Sequence, residues 1–537
     1  MNTAVRRLAL VAMVMCVALM VSSTWVQFVK ADELNNDGRN TRTMYRTIGD
    51  ARGSIVVAGT TVAASVAVDD PYGFQRVYAP NTTVDSSGKT VYSTESDTAQ
   101  AVLYSSITGF FGFSGRAGLE KYGDEYLSSE SNHLVFTRLR DLLTGQPPQG
   151  ASIETTIVPE VQEAAMAALR CERASARCLP APDGHSYLEG AIVAVEPSTG
   201  KILALVSTPG FDPNPVASHG AATSTRAYCE LEGPSVPGCG NLDPPVTAPA
   251  AGLPLRNKAI SERYFPGSTF KLVTAAAALE SGRYSSETML YGPRVLDLPQ
   301  TNRTMTNYGG SACDPHSDEI SLANSLKVSC NTSFAQLGID LGDDAIRRQA
   351  QAFGFDGARG EVRIPMPVAR SQFPEDLDAP HLAYASIGQD SVQATPLQMA
   401  MVSAAIANNG TMMKPYLIDT VRAPNLSVLS VTRPTEIGAP VSSSTAHQLT
   451  SMMELVVNEG SATPARIPGV RVAAKTGTAQ DSNRSPHVWF TGFAPADNPQ
   501  VAVVVFVKNG GDSGDAATGG KVAAPMAKQV IEAVLNR

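Results

Sequence analysis

The sequence predicts an α/β protein: an α+β sandwich with a central antiparallel sheet flanked by helices, preceded by an N-terminal anchor and a smaller mixed domain. Apolar strand patterns occur at residues 190–207 and return at residues 488–507, and the region between them is mainly helical in pattern. The length of 537 residues exceeds that of one ordinary domain. These observations together predict two or three domains around one large sandwich.

The first element is an apolar, uncharged segment of 22 residues at positions 8–29. As a helix rising about 1.5 Å per residue it would reach about 33 Å, enough to cross a bilayer. Arg6 and Arg7 precede it, so the body of the chain is expected outside the cytoplasm. Residues 1–30 are therefore predicted to be an uncleaved anchor with its cytoplasmic tip. A cleavable signal peptide is the alternative, although its apolar region is usually about 7–15 residues.

Residues 31–150 are predicted to form the smaller, non-catalytic domain. Residues 32–47 are typical of a linker, residues 53–68 of two strands with a turn, and residues 120–141 of several helical stretches. The segment 145–150 (GQPPQG) is rich in proline and glycine, which indicates the domain boundary.

Residues 151–537 are predicted to form the main domain. Residues 207–259 are rich in Pro, Gly and Ser and are expected to be a loop. The other predicted elements are helices at 159–170, 266–280, 443–458 and 523–535, a hairpin at 190–207, and strands at 488–495 and 500–507. Because strands precede and follow the helices, both ends of this domain are expected to complete one sheet.

The composition limits the possible partners. The formal net charge of −8 argues against nucleic acid, and seven cysteines fit an oxidising exterior. Two pairs lie close in sequence and could be local disulfides, which the sequence alone does not decide: Cys171 with Cys178, and Cys229 with Cys239. Cys313 is left unassigned, and Cys330 could be a buried thiol. The spacings match no metal-binding pattern, so no metal or other cofactor is expected.

Ser268 and Lys271 begin an alanine-rich segment that is predicted to be a helix. Residues three apart on a helix share a face, with Cβ atoms about 5–6 Å apart, so the amine can reach the hydroxyl. The free N–H groups of the helix N-terminus favour negative charge developing at Ser268. The alternative is a capping serine with a solvated lysine, but a lysine in such an apolar helix is expected to have a specific role.

The same spacing occurs at Ser198 and Lys201, within the predicted hairpin turn. Residues three apart in such a turn share no helical face. This second match is therefore interpreted as an ordinary exposed turn.

Ser329 and Asn331 belong to a second motif, Ser-Cys-Asn, whose polar residues suit a tight turn between helices. Taken alone, the motif is explained more simply as a turn with asparagine in a left-handed conformation.

Lys475, Thr476 and Gly477 form a third motif, and Thr478 follows it. Apolar residues on both sides predict a central, mostly covered strand, with glycine where another group approaches the backbone closely. A surface strand that ends in a lysine is the alternative.

In this order the three motifs supply a nucleophile, a proton shuttle and a cation, the parts of a serine acyl-transfer enzyme. From about residue 162 to the C-terminus the sequence resembles the penicillin-recognising serine enzymes, in particular the class B penicillin-binding proteins. Further matching segments are GAIVAVEP at 190–197, SIGQ at 386–389, TPLQ at 395–398, NNG at 408–410 and WFTG at 489–492. The chain departs from the frequent Gly-Gln-Gly of this family at Asp390, which we expect to alter a loop and not the chemistry.

The resemblance implies a serine β-lactamase/penicillin-binding-protein-like transpeptidase domain on a pedestal domain. It implies D,D-transpeptidation, the cross-linking of peptidoglycan stem peptides through a serine acyl-enzyme during wall synthesis and division, with covalent inhibition by β-lactams. The catalytic residues it implies are Ser268, Lys271, Ser329, Asn331 and Lys475.

The resemblance also implies how substrate is bound. Thr476, Gly477 and Thr478 would bind the end of the stem peptide that carries the carboxylate, and the backbone N–H groups of Ser268 and Thr478 would form the oxyanion hole. The expected location is the cell membrane, with one span and an extracytoplasmic catalytic domain. The non-catalytic region is too short for a glycosyltransferase domain, so a separate SEDS-family glycan polymerase and divisome proteins are expected partners.

Other functions remain as alternatives. A D,D-carboxypeptidase or a β-lactamase would use the same motifs, but no glutamate between Ser329 and Lys475 shows the Glu-x-x-Asn pattern of the commonest β-lactamases. The non-enzymatic alternatives are a divisome scaffold and a β-lactam sensor. A sensor needs a cytoplasmic signalling segment, and only seven residues precede the apolar segment.

Overall fold

The structure is a computed structural model that describes residues 3–30, 48–86, 88, 90–129, 131–134, 148–171, 177–247, 252–357, 361–481 and 484–537. The predicted linker at 32–47 and parts of the stretches predicted at 120–141 and 145–150 lie outside these ranges.

The helices of the described residues are α1 Thr3–Thr24, α2 Thr98–Thr108, α3 Gly118–Tyr122, α4 Asp124–Leu127, α5 Pro159–Ala168, α6 Ala221–Glu232, α7 Lys271–Glu280, α8 Leu322–Val328, α9 Asn331–Leu341, α10 Asp343–Ala352, α11 Ala379–Ala385, α12 Pro396–Ala407, α13 Ser443–Asn458 and α14 Ala523–Leu535.

The strands are β1 Ile55–Val57, β2 Thr60–Ala67, β3 Phe74–Tyr78, β4 Pro80–Val84, β5 Thr90–Ser96, β6 Phe111–Gly112, β7 Gly115–Arg116, β8 Ser152–Thr155, β9 Cys178–Pro180, β10 Ser186–Leu188, β11 Gly190–Val195, β12 Ile202–Thr208, β13 Met289–Tyr291, β14 Val295–Asp297, β15 Thr304–Thr306, β16 Glu319–Ser321, β17 Met412–Met413, β18 Ile418–Arg422, β19 Val428–Val431, β20 Glu436–Gly438, β21 Ala473–Asp481, β22 Arg484–Ala494 and β23 Val501–Val507.

The N-terminal helix α1 continues as a short π-helical turn, Trp25–Val29. The stretch Arg6–Gln27 is long and apolar enough to cross a membrane, and it is not buried against the rest of the protein. This agrees with the predicted anchor; a signal sequence so near the N-terminus would have the same properties.

A five-stranded antiparallel sheet lies at the centre of the main domain, in the order β12-β11-β23-β22-β21. Its central strand β23 is buried along its whole length because helix α12 and the C-terminal helix α14 both pack against it. The N-terminal hairpin and the C-terminal strands therefore meet in one sheet. The predicted sandwich is confirmed, but β21, which was expected to be a central strand, forms one edge of the sheet because among the described strands it pairs only with β22.

A second sheet of six strands has the order β19-β18-β8-β1-β2-β3. Strands β18 and β19 come from the main domain, and β18 pairs with β8, which in turn runs parallel to β1. The sequence did not predict this contribution from residues 418–431. Since one sheet extends across residue 150, the division into 31–150 and 151–537 stays a prediction.

The predicted helices and strands are observed at nearly the predicted positions, with two corrections. Residues 207–259 are not all loop, because they contain α6. Cys330 is not a free thiol, because it forms a disulfide with Cys313. Disulfides also join Cys171 to Cys178 and Cys229 to Cys239.

A buried cluster of charges fastens the six-stranded sheet to α3 and α4. Glu120 is fully buried, and its two carboxylate oxygens lie 3.0 Å from Arg52 Nε and 2.5 Å from Arg76 Nε. Arg52 also contacts Asp124 at 2.7 Å, and this charge cluster raises the pKa of Arg52 despite its burial. Such a cluster is stable only when each buried charge keeps its partner.

The substitution Glu120→Ala is predicted to lower the free energy of unfolding by about 3–5 kcal/mol, because it removes the carboxylate that pairs with the buried guanidinium groups of Arg52 and Arg76. Urea unfolding of the full chain in detergent, followed by circular dichroism, measures the change. The matched control is Glu532→Ala, which removes a half-buried, 3.9 Å ion pair with Lys528 and should cost about 0.5 kcal/mol or less. Equal effects of the two substitutions would contradict the role given to the cluster.

Candidate active site

Ser268 lies in a single 3₁₀ turn, Gly267–Thr269, immediately before α7. The predicted helix from residue 266 is thus a turn followed by an α-helix, and Ser268 still stands at its N-terminal end. Ser268 is half-buried, and among the described residues its hydroxyl makes no hydrogen bond. The turn requires glycine at position 267, where φ is +53° and a Cβ atom would come within 3.1 Å of the Thr478 carbonyl oxygen. The nucleophile turn therefore lies directly against strand β21.

Lys271, in the first turn of α7, is fully buried. Its Nζ atom donates to Asn331 Oδ1 and to the Ser329 carbonyl oxygen, both at 2.8 Å, and lies 3.3 Å from Ser329 Oγ. The first and second motifs are therefore in direct contact, and the alternative of a solvated lysine is wrong.

Ser329 ends α8 in a left-handed conformation, with φ +60° and ψ +43°. Such a conformation is uncommon for a residue other than glycine. It reverses the chain between α8 and α9, so that the hydroxyl of Ser329 faces the two lysines. The expected turn between helices is confirmed, but Ser329 and not Asn331 has the left-handed conformation.

Lys475, on strand β21, is also fully buried. Its Nζ atom donates to Ser329 Oγ and to the Thr476 carbonyl oxygen, both at 2.9 Å. The hydroxyl of Ser329 thus lies between the amines of Lys271 and Lys475. All three motifs meet around this one atom.

The electrostatics of the two amines follow from this burial. Desolvation holds the pKa of Lys271 well below its usual value, and the positive charge of Lys475 lowers it further. Desolvation also lowers the pKa of Lys475, to about 7. At neutral pH this site can therefore hold a neutral amine at Lys271, which can accept a proton.

The rest of strand β21 lines the same cleft. Thr476 is nearly buried, and its hydroxyl lies 2.5 Å from Ser461 Oγ. Thr478 is half-buried and accepts a hydrogen bond from Gly519 N at 3.4 Å. Gly477 approaches the turn, because a Cβ atom there would lie 3.0 Å from the Pro266 carbonyl oxygen. This close approach explains a glycine at the position predicted from the strand pattern.

The departure from the family pattern lies beside the nucleophile turn. Gly388 accepts a hydrogen bond from Gly267 N at 2.9 Å, and a Cβ atom at 388 would be 2.2 Å from the Gly267 carbonyl oxygen. Asp390 has φ +62°, a left-handed conformation that aspartate tolerates better than most residues. Asp390, at the position where the family often has glycine, therefore lies in a loop.

Ser198 and Lys201 lie away from this cleft. Ser198 is exposed in the turn between β11 and β12, and Lys201 forms an ion pair with Asp419 at 3.1 Å. This part of the structure confirms the interpretation as an exposed turn.

One residue that the sequence analysis missed contacts the second motif. The side chain of Asn307 accepts hydrogen bonds from Asn331 N and Thr332 N. Position 307 is 24 residues before position 331, so no local pattern could have identified it.

Three potential metal ligands lie close together in the described part of the chain: Cys171, Cys178 and Asp512. The two cysteines are joined in a disulfide, so they offer no thiolate. The geometry gives no reason to assign a metal there.

Comparisons with known proteins agree with this geometry. The penicillin-binding protein transpeptidase domain matches residues 190–532, and the penicillin-binding protein A dimerisation domain matches residues 81–153. The chain is 39% identical to the peptidoglycan D,D-transpeptidase PbpA of Mycolicibacterium smegmatis, over 100% of this chain and 99% of that protein. It is 38% identical to PbpA of Mycobacterium tuberculosis, with the same coverage.

Solved structures are similar over most of the chain. Penicillin-binding protein A from M. tuberculosis, as its ceftriaxone acyl-enzyme, matches with a TM-score of 0.78 at 37% identity, over 91% of this chain and 99% of that one. Its penicillin G acyl-enzyme matches with a TM-score of 0.76 at 38% identity, over 90% and 100%. The predicted resemblance to the class B penicillin-binding proteins is confirmed, and it extends to actinobacterial penicillin-binding protein A. The chain therefore belongs to the penicillin-binding protein transpeptidase family, in its class B.

Proposed function

We propose that this protein is a peptidoglycan D,D-transpeptidase that cross-links stem peptides through a serine acyl-enzyme during cell wall synthesis and division. The observation that carries the proposal is the cluster of two buried amines around Ser329 Oγ, one of which belongs to the helix that begins just after the half-buried Ser268. β-Lactams resemble the substrate's terminal amide and inhibit the enzyme by acylating the same serine.

The first step forms the acyl-enzyme. Ser268 Oγ attacks the carbonyl carbon between two terminal D-alanines, and its proton passes to the neutral amine of Lys271. The backbone N–H groups of Ser268 and Thr478 stabilise the oxyanion, an effect of about 3 kcal/mol per donor in other enzymes. Ser329 then relays a proton to the leaving D-alanine nitrogen, and the carbon–nitrogen bond breaks.

The second motif and β21 orient the substrate. Asn331 holds Lys271 and forms a hydrogen bond with the amide of the stem peptide. Lys475 attracts the terminal carboxylate, which Thr476 and Thr478 bind through their hydroxyls. The Thr476 hydroxyl can accept from Ser461 while it donates to a carboxylate, because a hydroxyl does both.

The second step transfers the acyl group. The amine of a second stem peptide attacks the ester carbonyl, the bond to Ser268 Oγ breaks, and the proton returns to the serine. The choice of an amine over water separates this reaction from that of a D,D-carboxypeptidase.

We also propose a membrane location with one N-terminal span and an extracytoplasmic catalytic domain. The apolar segment Arg6–Gln27 and the arginines at its start support this orientation. The proposed partners are a SEDS-family glycan polymerase and divisome proteins, which would supply and organise the glycan strands through the anchor and the non-catalytic domain.

The assignment of the nucleophile predicts that wild-type protein gains the mass of one penicillin and that Ser268→Ala gains none, because Ser268 takes the acyl group whereas Ser329, whose hydroxyl is held between two amines, only relays a proton. Intact-mass spectrometry after incubation with penicillin G measures the adduct. Ser198→Ala is the control and should be labelled like wild type. Equal labelling of Ser268→Ala and wild type would exclude Ser268 as the nucleophile.

The lowered pKa values predict a bell-shaped pH dependence of acylation. The rate should rise with pH as Lys271 loses its proton, at a pH far below the usual lysine value of about 10.4, and fall above about 7 as Lys475 becomes neutral. In Lys475→Gln the rising limb should move to higher pH, because the charge that helps lower the pKa of Lys271 is removed. Stopped-flow acylation with a fluorescent penicillin gives the profiles.

The matched control for this profile is Lys201→Gln, which removes a lysine outside the cleft and should leave both limbs in place. A rising limb at the same pH in Lys475→Gln and wild type would show that the two amines are not coupled.

The proposed orientation predicts that a cysteine at Glu287, an exposed position, reacts with a membrane-impermeant maleimide in intact cells. A cysteine in place of Asn2 should react only after permeabilisation, because it would lie on the cytoplasmic side of the anchor. Labelling of both cysteines in intact cells would contradict the topology, and a mature chain that lacks residues 1–30 would favour the cleaved signal peptide.

A further inference from the structure

Asn307 is a nearly buried residue, 8% exposed, that immediately precedes a short turn, Tyr308–Gly310. Its Oδ1 atom accepts hydrogen bonds from Asn331 N at 2.8 Å and Thr332 N at 3.1 Å. These are the first two backbone N–H groups of α9, which have no partner within the helix itself. Asn307 therefore caps α9 from a distant part of the chain.

The other end of the Asn307 amide is also engaged. Its Nδ2 atom donates to the Ser311 carbonyl oxygen at 3.1 Å and lies 3.3 Å from Thr332 Oγ1. Because both ends have partners, the orientation of the amide is fixed. Asparagine supplies both the acceptor oxygen and the donor nitrogen without a change of protonation.

The neighbouring residue completes the contact with the second motif. The Thr306 carbonyl oxygen accepts from Asn331 Nδ2 at 3.4 Å, while Asn331 Oδ1 accepts from Lys271 Nζ at 2.8 Å. Residues 306 and 307 thus hold Asn331 by its backbone and by its side chain. The orientation of the Asn331 amide in turn determines which of its atoms faces Lys271.

We propose that Asn307 is a positioning residue for acyl transfer: it holds Asn331 so that the side-chain oxygen keeps the Lys271 amine in place beside Ser329. The inference rests on the proposed function. Asn307 contacts neither Ser268 nor either lysine, so it acts through Asn331. Release of Asn331 would let the Lys271 amine move and would let water approach it.

The competing explanation is a helix cap that affects stability alone. The two explanations differ in the chemistry that they change. Water near Lys271 weakens the desolvation that lowers its pKa, so loss of positioning should shift the rising limb of the acylation profile to higher pH. A cap alone would lower the unfolding temperature and leave this limb unchanged.

The test compares wild type, Asn307→Ala and Asn307→Asp as full chains in detergent. Acylation by a fluorescent penicillin, measured over a range of penicillin concentrations and from pH 5 to 10, separates non-covalent binding from the acylation step. Asp97→Ala is the matched control, because Asp97 also accepts from two backbone N–H groups at a helix start, Ala99 N and Gln100 N of α2, far from the cleft. If Asn307→Ala does not fold, Asn307→Ser takes its place.

We expect Asn307→Ala to slow the acylation step by about 10- to 100-fold, the range typical of small misplacements in an active site, with the rising limb at higher pH. Asn307→Asp keeps an acceptor for both N–H groups and should recover most of the rate. Asp97→Ala should lose thermal stability and keep the wild-type rate and profile.

An acylation step within about twofold of wild type in Asn307→Ala, with an unmoved profile, would overturn the inference while the proposed function stands. A wild-type protein that took no label would instead overturn the proposed function and this inference together.

Discussion

Two buried lysine amines share one hydroxyl, and the rest of the site is arranged around that constraint. Lys271 and Lys475 both lie within hydrogen-bond reach of Ser329 Oγ, and neither forms an ion pair with a carboxylate of the described residues. Two like charges this close and this far from water are costly. The cost is relieved when Lys271 is neutral, which is the state that a proton acceptor needs. Desolvation, with the charge of Lys475 added to it, thus prepares Lys271 to act as the base.

The fold holds this arrangement from three directions. Helix α7 is buried on nearly all sides, so Lys271 cannot turn towards solvent. The turn at Ser329 is held by the reversal between α8 and α9, with the Cys313–Cys330 disulfide beside it. Strand β21 is the edge of the central sheet, and it lies against the nucleophile turn because positions 267 and 477 are glycines. Each motif is therefore on a different rigid element, and only the tertiary fold brings them together.

The sequence predicted those features that depend on short spacing. Ser268 and Lys271 could be paired from three-residue periodicity, and Ser198 and Lys201 could be set aside because their turn lacks it. The hairpin at β11 and β12 and the helix α13 followed from their own apolar patterns. The conformation of these elements depends on residues that are close together in the sequence, so the local sequence pattern is enough to predict them.

Other features depend on contacts between distant residues, and no local pattern contains them. Asn307 caps a helix 24 residues away, and β18 completes a sheet that begins before residue 60. The disulfide at Cys330 could be predicted only from the distance between Cys330 and Cys313 in the folded chain. The contact of the Thr476 hydroxyl with Ser461 likewise depends on the packing of α13 beside β21. Helix α6 was missed because its polar, glycine-flanked sequence resembles a loop.

A crystal structure of this protein's own penicillin G acyl-enzyme tests the central claim most directly. The account predicts an ester to Ser268 Oγ, with the acyl carbonyl oxygen between the N–H groups of Ser268 and Thr478 and the carboxylate beside Thr476 and Thr478. An ester on another residue, or a separation above about 10 Å between Lys475 Nζ and Ser268 Oγ, would contradict it.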